Sequence, residues 1–165
     1  MKVIEAHEHD AHHANAGADT SLNRLAFQAT THCLAGCAIG EVLGMTIATA
    51  LDWGNIASIA ISVALAFVFG YSLTLGPVLR AGVPFRRAAG LVFASDTLSI
   101  TTMEIVDNAF ILVVPGAIAA GLGDALFWWS LGVSLVIAFV AAFPVNRWLI
   151  ARGRGHAVVH ELHAH

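Results

Sequence analysis

Four stretches of the chain stay apolar for long enough to cross a bilayer, and short polar breaks separate them. Residues 31–51, 56–75, 88–114 and 125–148 each meet the requirement of roughly 20 apolar residues for a membrane-spanning helix. The second carries no charged residue. The breaks are Asp52-Trp53-Gly54-Asn55, then Gly76-Pro77 through Ala81-Gly82-Val83-Pro84, then Pro115-Gly116 to Gly123-Asp124, all rich in turn-forming residues. Lipid offers the backbone no hydrogen bonds, so such segments become helices. The pattern predicts an all-α fold: a four-transmembrane-helix bundle over residues 25–150, with disordered His-rich tails over 1–24 and 151–165.

The first span is not uniformly oily. In THCLAGCAIGEVLGM, Thr31 to Met45, the residues Cys33, Cys37, Glu41 and Met45 recur every fourth position, which sets them on one helical face. At 1.5 Å per residue that stripe is about 18 Å long. A second stripe runs beside it: Gly36, Gly40, Gly44 and Ala48. Small residues at this spacing let another helix approach closely, so the glycine face is expected to dock and the polar stripe to face the bundle interior. Cysteine and methionine are also ordinary packing residues in apolar interiors. Glu41 is not, because an intramembrane carboxyl costs a few kcal/mol unless it finds a partner or water.

The third span has the same character. In SDTLSITTMEIVDN, Ser95 to Asn108, the residues Asp96, Ser99, Met103 and Asp107 share a face, with Glu104 and Asn108 on the adjacent strip. Spans one and three run in the same direction through the membrane, so their depths can be compared. Centring each span predicts Cys37 level with Asp96, and Met45 level with Met103 and Glu104, with Glu41 between.

Composition supports a membrane setting: 58% of the 165 residues are hydrophobic and 12% charged, with a mean hydropathy of +0.76. Lipid is then part of the solvent. Charge placement says more than the net charge of -3. Lys2 and Arg24 precede the first span, Arg80, Arg86 and Arg87 join the second to the third, and Arg147, Arg152 and Arg154 follow the fourth. These are all eight basic residues, and the other two connections have none. The positive-inside rule predicts a multi-pass protein of the inner (plasma) membrane with both termini cytoplasmic. The N-terminal residues lack the basic start and apolar centre of a signal peptide, and none is expected.

Eight of the nine histidines lie near the ends: His7, His9, His12 and His13, then His156, His160, His163 and His165. Mixed with carboxylates, such segments are expected to collect divalent metal. The ninth, His32, adjoins Cys33. Thiolate and thioether donors favour Cu(I) and Zn, and two cysteines are too few for a closed four-cysteine zinc site.

Together THCLAGCAIGEVLGM, FGYSLT, SDTLSITTMEIVDN and PVNRWLIARGRGH make the chain resemble a family of prokaryotic multi-pass membrane proteins catalogued as domain of unknown function 4396. The likeness covers roughly residues 30–156 and implies a membrane fold but no particular activity. The cysteine-bearing first span is also similar to that of mercury-uptake membrane proteins, which space their cysteines differently.

The residues point to an integral membrane protein that binds or translocates a transition-metal ion, Cu or Zn, along a seam between spans one and three. His32, Cys33 and Cys37 are the expected inner ligands, and Glu41, Met45, Asp96, Met103, Glu104 and Asp107 the continuation. A homo-oligomer is expected, and the His-rich tails leave room for a cytoplasmic metal donor or acceptor. Three other classes stay open: a membrane thiol redox protein using Cys33 and Cys37, a scaffold or assembly factor without transport, and a proton- or alkali-cation carrier that needs only the acids. Enzyme chemistry is otherwise not indicated. No nucleic-acid partner is expected, because the arginines already have a topological explanation.

Overall fold

The computed structural model describes the backbone of residues 2–152 and, Leu91 apart, the side chains of residues 19–152. Four helices follow in order: α1 (Lys2–Ala50), α2 (Asn55–Arg80), α3 (Phe85–Val113) and α4 (Ala125–Ala151), with a single 3-10 turn at Ala117–Ala119 before α4. All four are long and apolar enough to cross a membrane, α1 through its part Asp19–Ala50. The chain is a four-transmembrane-helix bundle.

Helix α1 differs from expectation at its start. Residues 2–24, expected as part of a disordered tail, are helical and continuous with the span. Alanine recurs through this segment and proline is absent from it, so helical propensity carries the span outward. The side chains of His7, His9, His12 and His13, and all of His156, His160, His163 and His165, lie outside the described residues. The polar residues at the head of the predicted first span also fit inside the helix. Thr30, Thr31 and His32 bond back to the carbonyls of Ala26, Phe27 and Gln28 at 2.7, 2.8 and 2.8 Å, which satisfies them within one turn. Helix α2 likewise runs past Gly76-Pro77 to Arg80. Proline there removes one amide from the final turns only, and the chain reverses instead at Gly82, whose φ is 83°.

The turn after α1 is a Schellman motif. Trp53 N donates to Ala48 O at 2.9 Å and Asp52 N to Thr49 O at 3.3 Å. Asp52 takes the left-handed position, φ 53°, that glycine usually fills.

α1 and α2 form the closest pair. A Cβ on Gly36, Gly40 or Gly44 would run into the backbone of Gly70, Ala66 or Ser62 respectively. The three pairs share one antiparallel register, and the next step joins Ala48 to Ser58, both buried. The glycine face of α1 thus docks on a second small-residue stripe, Ser58, Ser62, Ala66 and Gly70.

With α2 covering the glycines, the polar face of α1 turns inward. The bundle has an apolar exterior: Phe93, Leu98, Ile105, Leu112, Val136 and Val140 are all exposed. Its interior holds Thr30, Glu41, Asp96, Ser99, Glu104, Asp107, Ser130, Ser134 and Asn146, all buried. Helix order and pairing bring Arg24, Arg80, Arg86, Arg87, Arg147 and Arg152 to one end, the arginine end. The α1–α2 and α3–α4 connections form the other, the loop end. Trp53, Trp128 and Trp129 are exposed near the loop end and Trp148 near the arginine end, as interfacial aromatic residues would be.

Candidate functional site

Cys33 and Cys37 are 1% and 2% exposed and pack in one cluster with Ile100 and Met103 of α3 and Ala138 and Ala142 of α4. Both are free thiols. Cys33 faces Ser99, with Asp96 nearby. Cys37 faces Glu104, and Glu41 faces Asp107. Sulfur and carboxylate from α1 therefore meet carboxylate and thioether from α3 along a single seam.

The register of that seam is about two turns from the one that centring the spans predicts. Cys37 stands level with Glu104 rather than Asp96, and Glu41 level with Asp107. Helix α1 also extends further on the arginine side than centring assumes, with Thr30 and His32 inside it.

Two predicted residues lie at the margins of the seam. His32 is exposed, its Nδ1 2.8 Å from Gln28 O, and lies within electrostatic reach of Asp96. Met45 is half-buried, packs on the loop-end cluster around Ala120, Phe127 and Leu131, and lines the same cavity as Glu41. Asp96 stays in the seam at its arginine-end limit, accepting a hydrogen bond from Ser95 Oγ at 2.6 Å.

The acids are under-satisfied. Asp96, Glu104 and Asp107 are 6%, 5% and 2% exposed. Yet among the described residues Asp96 Oδ2, both Glu104 oxygens and Asp107 Oδ2 have no hydrogen-bond partner. A buried polar atom left unpaired costs about 1–3 kcal/mol, and more when charged. Asp107 Oδ1 is hydrogen-bonded by Ser134 of α4. Glu41 instead reaches a cavity of about 200 Å³ at the loop end, which Asn55, Ser58, Ser62, Asn108 and Ser130 also line. Among the described residues no three His, Cys, Asp or Glu side chains form a ready-made metal cage. The seam is a succession of partial donor sets.

Sequence reasoning missed the contribution of α4. Ser130, Ser134, Ala138, Ala142 and Asn146 recur every fourth residue and are all buried. That spacing was visible in the chain. Asn146 Nδ2 donates to Thr30 Oγ1 at 2.8 Å and to Ser99 Oγ at 2.9 Å, so one amide ties α4 to α1 and α3 at the arginine end of the seam. No curated protein and no solved structure significantly matches the chain. The family described as domain of unknown function (DUF4396) matches residues 22–155, nearly the whole described bundle, and the chain belongs to that family.

Proposed function

We propose that this protein binds a transition-metal cation, copper or zinc, inside the membrane and passes it along the seam between α1 and α3. One observation carries the reading: both Glu104 oxygens and Asp107 Oδ2, buried and without partners among the described residues, lie in the same seam as the thiols of Cys33 and Cys37 and the thioether of Met103. Ionisable groups inside a bilayer are costly and mark ion or proton paths. A cation moving along the seam would satisfy them in turn. Sulfur beside oxygen favours a thiophilic metal over sodium or magnesium, and partial sites in series suit an ion that must leave as well as arrive.

The positive-inside rule supports a plasma-membrane orientation with the arginine end and both termini cytoplasmic. The His-rich tails would then collect or hand over metal on that side, exchanging it with a cytoplasmic donor or acceptor. Four helices give a thin wall around such a path, which favours a homo-oligomer.

Metal analysis of the purified protein beside a Cys33→Ala/Cys37→Ala variant tests the reading. Copper or zinc should co-purify with the parent and drop in the variant. Equal content in the two would remove the sulfurs from the mechanism. A proton- or alkali-cation carrier is the second reading, favoured by the fact that three of the unpartnered residues are acids; its transport would survive loss of both cysteines. A thiol redox role is weaker, because both thiols are buried and no second pair exists to relay electrons. A scaffold or assembly factor has no use for unpartnered acids in its core, and a partner co-purifying in fixed ratio would identify one.

A further inference from the structure

The two ends of the seam are not alike. At the loop end the cavity of about 200 Å³ opens among Trp53, Asn55, Ser58, Asn108 and Ser130 and reaches Glu41. One ordered water needs only about 10–15 Å³, so a hydrated ion has room. Ser130 is 2% exposed, lines this cavity, and has a hydroxyl without any partner among the described residues. A buried hydroxyl aimed into a polar cavity is satisfied by what fills it. Glu41, at the cavity floor, faces Asp107, and its level is about 14 Å below the end of α1 at 1.5 Å per residue. The cavity therefore reaches Glu41, the first of the acids from the loop end.

The arginine end is shut. Thr30 and Ser99 are fully buried and Asn146 nearly so, and the Asn146 amide bridges the two hydroxyls. Three helices converge on that one side chain.

From this asymmetry we infer that the loop-end cavity is the vestibule through which a hydrated cation reaches Glu41 and Asp107, and that the Asn146–Thr30–Ser99 bridge closes the opposite end. The inference rests on the cation reading above and adds to it the side of access, the residues that first meet the ion, and the closed gate. An ion would shed water against Glu41, Asn108 and Ser130 before meeting Asp107, Glu104 and Cys37. Passage beyond Cys33 requires Asn146 to release Thr30 or Ser99.

Thiol accessibility in the full-length protein tests it. Two single-thiol proteins are reconstituted into sealed vesicles, with sidedness read from a C-terminal tag: Ser130→Cys in a Cys33→Ser/Cys37→Ser background, and Cys37→Ser, which keeps the native Cys33 beside Ser99. A membrane-impermeant cationic methanethiosulfonate is added to one side at a time. Ser130→Cys should react at least tenfold faster from the loop end than from the arginine end, and Cys33 at least tenfold more slowly from either end than Ser130→Cys from the loop end. Adding Asn146→Ala should raise the Cys33 rate from the arginine end about tenfold. Asn108→Cys, across the same cavity, repeats the Ser130→Cys readout should that variant fold poorly.

Faster labelling of Ser130→Cys and Asn108→Cys from the arginine end, or no labelling of either, overturns the vestibule. An Asn146→Ala change without effect on the labelling of Cys33 overturns the gate. Metal content of the parent protein, measured in parallel, separates the two levels. Bound metal with labelling from the wrong end sinks the vestibule alone, whereas loop-end labelling without bound zinc or copper sinks the cation reading alone.

Discussion

Cys37 of α1 faces Glu104 of α3 inside the bundle, 2% and 5% exposed respectively, and among the described residues neither Glu104 oxygen has a hydrogen-bond partner. A soft donor and a hard one thus face each other in the bundle interior. That pairing separates this seam from a packing interface, where a thiol would meet carbon and an acid would meet an amide, hydroxyl or cation.

Glu104→Gln tests the pairing. The amide removes the charge that burial penalises, so the metal-free protein should keep or gain thermal stability, by up to about 3 kcal/mol. Zinc or copper affinity should fall at least tenfold, about 1.4 kcal/mol. Melting curves in chelator and across a metal titration read both effects. An unchanged affinity would exclude Glu104 as a ligand.

Gly40→Leu should be severely destabilising. The first added carbon already runs into the Ala66 backbone, which cannot yield without parting α1 from α2. The loss should exceed the roughly 1–3 kcal/mol typical of overpacking. Gly132→Ala, in α4 with open space around it, should instead be neutral or stabilising by up to about 1 kcal/mol. Detergent-resistant folding, followed by size-exclusion and thermal melts, compares the two.

Asn146→Ala removes both bridging hydrogen bonds at once. Stability should drop by about 1–3 kcal/mol with the bundle still assembled, because the α1–α2 glycine contacts are untouched. A melt identical to that of the parent would mean that the amide holds nothing.

Asp52→Gly should raise stability by about 0.5–1 kcal/mol, since glycine takes the left-handed conformation without strain. Asp52 caps the turn after α1 at φ 53°, where its side chain adds no hydrogen bond to the turn that its backbone amide makes. A lower melting temperature in the variant would show the carboxylate to be engaged at the membrane surface.

Much of this was legible in the chain. The stripe Cys33, Cys37, Glu41 and the stripe Asp96, Met103, Asp107 are helical faces before any helix packs, and the glycines beside Cys37 announce a close neighbour. Asn146 was harder to see. One asparagine in an apolar span reads as an isolated cost until Thr30 and Ser99 are brought beside it, from 116 and 47 residues away. Ser130 and Ser134 escaped notice because serine can bond to its own helix, so its spacing alone carries little weight. His32 shows the reverse: adjacent to Cys33 in sequence, it turns about 100° around the helix and faces out.

Length, hydropathy and turn residues were enough for four spans, their joints and the inward or outward sense of each stripe. Lipid leaves the backbone only helix, and helix leaves the side chains only their period. Axial register is another matter. A helix can slide along its neighbour without changing its own pattern, so nothing local decides whether Glu104 stands beside Cys37 or Met45. Contacts between distant parts of the chain lock the slide: Gly40 against Ala66, Asn146 across Thr30 and Ser99. Those contacts exist only once all four helices are together.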